Sequence, residues 1–188
     1  MKAVSAQLEL DLLHKIIHII SDTTDHSELL RQICKLIVGV IKSDSCLIYL
    51  KDEKTGSLVL SGSHNPHPDA LGRIKLKLGE GITGWVAAHK KPVTISKKAY
   101  EDPRFKYFLN LPEDRYESFL SLPIILHGHT TGVINLQTRK SHVYRESEIE
   151  LLTTISKLAA RAIDNARLFS EMSRRQKEIE TLAQVSRL

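Results

Sequence analysis

Apolar positions along this chain recur first every three to four residues, then every two, then every three to four again, and the changes of period mark its elements. Residues 5–20 place Leu8, Leu12, Leu13, Ile16, Ile17, Ile19 and Ile20 at helical spacing. This predicts an amphipathic helix whose apolar face is wider than one domain needs, so part of it is expected to meet a partner helix. Asp25 and Glu28 form a D-x-x-E start, close to a capping box. Leu29, Ile33, Leu36, Ile37, Val40 and Ile41 then predict a second helix, ending near Lys42 and Ser43, with one face on a sheet. Cys46-Leu47-Ile48-Tyr49-Leu50 is almost continuously apolar and reads as a central strand. Asp52 to Gly56 is a turn, and Leu58-Val59-Leu60 returns as its hairpin partner. His64 to Pro68 is a proline-rich loop, and residues 73–78 predict a third strand.

The middle of the chain turns on Gly79, Gly81 and Gly84. Three glycines so close permit a tight turn, positive φ and close packing. A short helical run follows from Trp85 to His89 and is stopped by Pro92. Val93-Thr94-Ile95 is a short strand. Ser118 to Leu126 and Thr130 to Thr138 predict a second hairpin around Gly128. Alternation puts Ser118, Leu120, Leu122 and Ile124 on one face of it and Phe119, Ser121 and Ile125 on the other. In the return strand Ile134 and Leu136 oppose Val133, Asn135 and Gln137. Buried mid-strand amides need partners, and Asn135 and Gln137 fit either a ligand or the backbone of a covering loop.

From Ser96 to Glu117 the connection is long and polar, with Asp102-Pro103 expected to open a short helix. A connection of this length in a compact domain usually carries function. Phe105, Tyr107 and Phe108 make it either a lid with an apolar underside or a loop anchored to the sheet by its rings.

From Glu146 the pattern is helical to the end. Arg145 stands where a Ser or Thr cap would serve better, while Glu146 and Glu148 favour the positive end of the helix dipole. Ile155, Leu158, Ala162, Asn165, Phe169, Met172, Gln176 and Ile179 repeat at alternating threes and fours, a heptad seam that predicts a parallel dimer. The alternative is one helix whose first half packs on the sheet. The helical pattern runs to Leu188 without a glycine stop, as expected of a linker helix leading to a further domain.

Composition narrows the function classes. The chain has 188 residues, 41% hydrophobic and 26% charged, which suits one domain with helical extensions. No apolar run approaches the ~20 residues of a membrane span, and no signal-peptide pattern opens the chain. A cytoplasmic protein with no membrane partner is expected. The net charge of +5 is scattered, without a helix-turn-helix or zinc-finger spacing, so no nucleic-acid partner is expected. Cys34 and Cys46 fall in helix and strand patterns and read as buried thiols. His64 with His67, and His127 with His129, are close pairs in turns, short of a zinc ligand set. No Ser/His/Asp or Cys/His arrangement emerges from spacing. Gly79, Gly81 and Gly84 also fit G-x-G-x-x-G, but Glu80 sits where a pyrophosphate would approach and the following helix is too short for a nucleotide-binding crossover.

Four stretches carry a family resemblance. They are Gly79-Glu80-Gly81-Ile82-Thr83-Gly84-Trp85-Val86-Ala87, Tyr116 to Ile124, Thr131 to Gln137, and Glu148-Ile149-Glu150-Leu151-Leu152. In this order they resemble the bacterial signalling type of GAF domain, over about residues 20 to 170. Asp102 to Tyr107 and Arg115 to Leu120 are most similar to the N-terminal GAF domain of nitrogen-type phosphoenolpyruvate phosphotransferases. The resemblance implies an α+β fold: a central antiparallel sheet of about six strands, helices on one face, a lid loop and short helices on the other, and a long C-terminal helix. It implies a regulatory small-molecule sensor, usually non-catalytic, with its output domain elsewhere, and it names no ligand or cofactor. Several known ligand signatures are missing. The N-K-x-F-x-x-x-D-E pattern of cyclic-nucleotide GAF domains is absent, a bilin-attaching pocket cysteine is not found, and Glu113, Asp114 and Arg115 stand where haem-binding relatives carry histidine.

The expected organisation is an N-terminal helix over 1–22, a GAF domain over 23–165 and a signalling helix over 166–188, in a homodimer formed through the terminal helices. A small molecule is expected between sheet and lid, above the glycine turn. Its candidate contacts are Trp85, Tyr107, Phe108, Tyr116, Ser118, Asn135 and Gln137. Two alternatives remain: a ligand-free dimerisation connector whose pocket is filled by lid aromatics, and a redox enzyme using Cys46.

Overall fold

The computed structural model describes residues 10–11, 14–19, 23, 25–65, 69–108, 111 and 115–185. Its centre is a six-stranded sheet with antiparallel pairing throughout, in the order β3-β2-β1-β6-β5-β4. The strands are β1 (Ser45–Lys51), β2 (Leu58–Ser63), β3 (Lys75–Leu76), β4 (Val93–Ile95), β5 (Ser118–Leu126) and β6 (His129–Thr138). The helices are α1 (His26–Ile41), α2 (Gly81–His89) and α3 (Glu146–Val185).

Helix α1 starts where Asp25, in extended backbone, accepts a hydrogen bond from Ser27 N at 2.9 Å. It ends at Lys42 in the left-handed region, φ 57°. Its buried stripe of Leu29, Leu30, Ile33, Cys34, Ile37 and Ile41 lies on β1 and β2. Helix α3 lacks an Arg145 side-chain cap, and Glu148 supplies the missing half. Its carboxylate reaches back to accept from Arg145 N at 2.8 Å. Of the N-terminal helical expectation, residues 14–19 are helical; Ile16 is buried against the α1–α3 core, while Leu10 and Ile17 face outward. Leu8, Leu12, Leu13 and Ile20 lie outside the described residues.

The sheet separates two cores. Ile48, Leu120, Leu122, Ile134 and Leu136 point to α1 and α3; Leu47, Tyr49, Phe119 and Val133 point to α2 and the 96–117 connection. Strand alternation alone produces this division. Pro123 sits in β5 beyond the reach of β4, which pairs only with Phe119 to Ser121, so its missing N–H costs no ladder bond.

Three local expectations need correction. The strand over 73–78 shortens to Lys75–Leu76, because Lys77 N donates to the Glu80 carboxylate at 2.8 Å and draws the chain off the sheet. The helix placed from Trp85 already begins at Gly81, with Gly84 N donating to Glu80 O at 3.0 Å. The helix placed after Asp102-Pro103 is instead a 3-10 turn before it, Ala99–Glu101. Asp102 turns its carboxylate onto Arg104 N at 2.9 Å, a local bond that competes with helix. Among the described residues, no helix is long and apolar enough to cross a membrane.

Candidate functional site: a lid-covered cavity above the glycine turn

The glycine turn positions everything on the lid face. Gly79 and Gly81 take φ of 84° and 68°, and Gly79 N donates to Gly84 O at 2.8 Å. A Cβ on Gly84 would stand 2.4 Å from Lys77 O, so only glycine lets this turn close. Helix α2 then lies across the sheet, tied to β6 by Thr130 Oγ1 donating to Ala87 O at 3.0 Å.

Between α2, the sheet and the 96–117 connection lies a cavity of about 30 Å³. Its walls are apolar, from Tyr49, Leu76, Ile82, Phe105, Phe108 and Phe119; its polar lining is Thr83, Asn135 and Gln137, with Lys106 beside it. The floor is a buried chain of hydrogen bonds. Ser121 Oγ donates to Asn135 Oδ1 at 2.7 Å, and Asn135 Nδ2 donates to Thr83 Oγ1 at 2.8 Å. Ser121 and Asn135 are cross-strand partners, and Thr83 comes from the glycine turn.

The connection closes over this floor as a lid. Lys106 pairs with Glu80 of the glycine turn. The Lys106 ammonium and the Lys77 N–H hold the Glu80 carboxyl below its ordinary value of 4.5. Arg104, its fork held by Asp102 at 2.8 and 2.9 Å, lies 5.1 Å over the Trp85 ring. Phe105 meets Phe119 edge-on at 6.2 Å. Glu117 closes the base of the loop by accepting from Tyr100 Oη and Lys98 N, both at 3.1 Å.

Of the expected contacts, the structure brings Phe108, Asn135 and Gln137 to the cavity. Trp85 stands outside it, stacked on His89 at 4.1 Å and under Arg104. Tyr107 is 60% exposed and donates to Tyr100 O at 3.1 Å, so it braces the outside of the lid. Tyr116 is buried beside Arg139, whose guanidinium lies 5.5 Å from its ring. Ser118 is on the helix face, because odd and even residues of β5 diverge; its hydroxyl meets Thr138 Oγ1 at 2.5 Å and Tyr144 Oη at 3.0 Å. Burial pushes the Tyr144 phenol up to about 12. Glu80, Thr83, Phe105, Lys106 and Ser121 were not anticipated as site residues. Ser121 was readable, since counting pairs outward from the Gly128 turn places it opposite Asn135.

Cys46 is wholly buried, and burial with the adjacent Cys34 thiol pushes its pKa well above the ordinary value, which disfavours a reactive thiolate. Among the described residues, no three His, Cys, Asp or Glu gather as a metal site.

Residues 23–164 match the family model described as GAF domain. A protein of Escherichia coli described as "Phosphoenolpyruvate-dependent phosphotransferase system" is 26% identical over 156 residues, covering 83% of this chain and 21% of that one. Its Salmonella typhimurium counterpart is 26% identical over 144 residues, 77% of this chain and 19% of that one. The chain thus spans about a fifth of the length of these relatives. The GAF domain of a phosphoenolpyruvate-protein phosphotransferase from Coxiella burnetii superposes with TM-score 0.78 at 26% identity, covering 89% of this chain and 99% of that one. The corresponding Acinetobacter domain gives 0.74 at 25% identity, with 87% and 98% covered. A free methionine-R-sulfoxide reductase from Neisseria meningitidis shares the fold at TM-score 0.69 and 18% identity, with 89% and 95% covered.

Proposed function

The chain belongs to the GAF domain family, and from that premise we propose that it is a regulatory module sensing a small molecule in the cavity between sheet and lid. Its similarity to the GAF domains of phosphoenolpyruvate-protein phosphotransferases supports an output domain of that phosphotransfer type, outside this chain. The carrying observation is the construction of the cavity. Buried Thr83, Asn135 and Gln137 line it, and the lid above is fastened through a half-exposed Glu80–Lys106 pair that water can replace at little cost.

Coupling to the long helix runs through β5. Phe119 and Ser121 face the cavity side, while Leu120 and Leu122 face α3, and Ser156 Oγ of α3 donates to Pro123 O at 3.0 Å. A shift of β5 is therefore felt on both faces. Helix α3 leaves the sheet near residue 165 and carries Phe169, Met172 and Ile179 exposed at 65%, 70% and 67%. This seam pairs two copies in parallel, with the N-terminal helix joining the pairing through its outward-facing Leu10 and Ile17. The organisation proposed is thus 1–22 as a pairing helix, 23–165 as the sensor and 166–188 as the signalling helix, in a cytoplasmic protein. A ligand biases this pairing only through unequal affinity for two arrangements.

One observation favours a second reading. A volume of about 30 Å³ holds about one or two waters, and Phe105 and Phe108 occupy the space above the floor. A ligand-free connector would look the same. Native mass spectrometry of the purified chain separates the two. The sensor reading expects a dimer that retains a small molecule or takes one up from a metabolite panel. A dimer that takes up none supports the connector.

A further inference from the structure

Strand β4 ends the sheet and pairs with β5 on one edge only. The ladder fixes which of its backbone groups face outward. His64 N donates to Cys46 O at 2.9 Å, so Leu47 and Ser63 are a non-hydrogen-bonded pair and Leu47 turns its N–H and C=O toward β6. From Leu47 a row of cross-strand partners runs through Asn135 and Ser121 to Val93. Alternation along this row points the N–H and C=O of Val93 and Ile95 at β5, and leaves those of Thr94 facing out. Ser96 shows the same phase, since its outward carbonyl accepts from His142 N at 2.9 Å. Among the described residues no strand pairs with this edge, and Pro92, Thr94 and Ser96 are exposed.

The charge around this edge is one-sided. From Gly81 to Tyr100 the sequence holds Lys90, Lys91, Lys97 and Lys98 and no Asp or Glu. The 139–142 segment that reaches Ser96 adds Lys140. Against these lysines stand Glu101, paired with Lys98 at 2.9 Å, and Glu117, which accepts from Lys98 N. Lys90 donates to a carbonyl, Gly128 O at 2.7 Å. Lys91, Lys97 and Lys140 have no ion pair among the described residues.

We propose that the free edge of β4 is a docking site for an extended acidic segment of a partner protein, which adds to the sheet as an antiparallel strand. The partner residue opposite Thr94 exchanges both backbone hydrogen bonds with it, and Pro92 O accepts a further one. Carboxylates on either side of that residue meet Lys91 and Lys97. Lysines beside an edge keep other strands off it, and here the same charges sort the partners. A second copy's β4 would bring lysine onto lysine, whereas an acidic strand finds countercharge at both ends. None of residues 91–97 lines the lid cavity, so the two sites are separate.

The probe is the fluorescein-labelled peptide EEVTVEE, titrated into the 188-residue chain and followed by anisotropy and amide NMR. Saturable binding is expected, with the Thr94 amide shifted and its exchange slowed. Methylating the backbone nitrogen of the peptide's central threonine leaves its charge unchanged and should weaken binding about tenfold. Lys91→Glu with Lys97→Glu, both exposed, should weaken it about tenfold or more, and added salt should weaken the parent complex. Thr94→Pro should abolish binding while the thermal midpoint holds, because the N–H it removes lies outside the ladder. Should that variant not fold, the methylated peptide tests the same bond from the partner's side. The proposal is overturned by an absence of saturable binding up to about 1 mM peptide, or by shifts centred away from residues 91–97. Parent affinity in the double lysine variant would overturn it too. Equal affinity for the methylated peptide would reduce the contact to adsorption by charge, and tighter binding of a single-stranded oligonucleotide at the same lysines would give the edge to nucleic acid; either overturns it.

Discussion

Asn135 joins the sheet to the glycine turn, and removing its amide should be costly. The Asn135→Ala change deletes the acceptor of Ser121 Oγ and the donor to Thr83 Oγ1, in a residue only 2% exposed. Two buried hydrogen bonds contribute roughly 1 kcal/mol each, and a hydroxyl left without a partner costs about 1–3 kcal/mol. Hydroxyl rotation allows partial recovery, so the expected loss is about 2–5 kcal/mol. Urea unfolding measures it as a lower midpoint at constant slope. A second variant tests the cause. Thr83→Val, Ser121→Ala and Asn135→Leu together replace all three polar partners, and should recover more than half of the loss because no buried polar group remains unpaired. A single-variant loss below about 1 kcal/mol would refute the network as a structural tie. A triple variant as unstable as the sum of its parts would show that volume, not hydrogen bonding, is at stake.

Lys106→Met should loosen the lid without unfolding the domain, raising amide exchange over 99–108 by about two- to fivefold, since a half-exposed pair contributes at most about 1 kcal/mol. The same latch depends on acid. Glu80 has a lowered pKa in the folded state, so its contribution is complete above the ordinary value of 4.5 and is lost as pH falls through the folded value; the protection factors of the lid amides, referred to intrinsic exchange at each pH, should be flat from pH 7 to 5 and fall only below about 4.5. Gly84→Ala should destabilise by about 3 kcal/mol, because the clash is with the Lys77 carbonyl, which no rotamer can relieve; the thermal midpoint should drop by roughly 6–12 °C. Phe169→Glu with Ile179→Glu should give a monomer by sedimentation, with the domain's own stability intact, since both side chains are exposed on α3.

The sheet was legible because its two periods are clean. The hairpin of Ser118–Leu126 and His129–Thr138 follows from alternation on either side of Gly128. The same alternation excludes Ser118 from the lid face while admitting Asn135 and Gln137, so its assignment as a ligand contact conflicted with a pattern already in view. Tyr107 and Trp85 were not separable from Phe108 by sequence. Which ring of a loop turns inward depends on the Asp102–Arg104 turn and the Lys106–Glu80 pair, contacts set by tertiary approach rather than periodicity. Glu80 was legible only as an obstacle to a phosphate. Its bonds to Lys77 N and Lys106 require the fold. The role of Asn135 also lay beyond reach, since its partner Thr83 is 52 residues away and belongs to another element.

The central claim is that the lid cavity and the paired helices are coupled. The decisive measurement is the rate of disulfide cross-linking of Met172→Cys between copies, with and without each small molecule that protects residues 99–108 from exchange. Met172 is exposed in the seam, and the native thiols Cys34 and Cys46 are buried, so the signal arises from the helix pair alone. The account predicts that at least one lid-protecting molecule changes the cross-linking rate severalfold. An unchanged rate with every such molecule would contradict it.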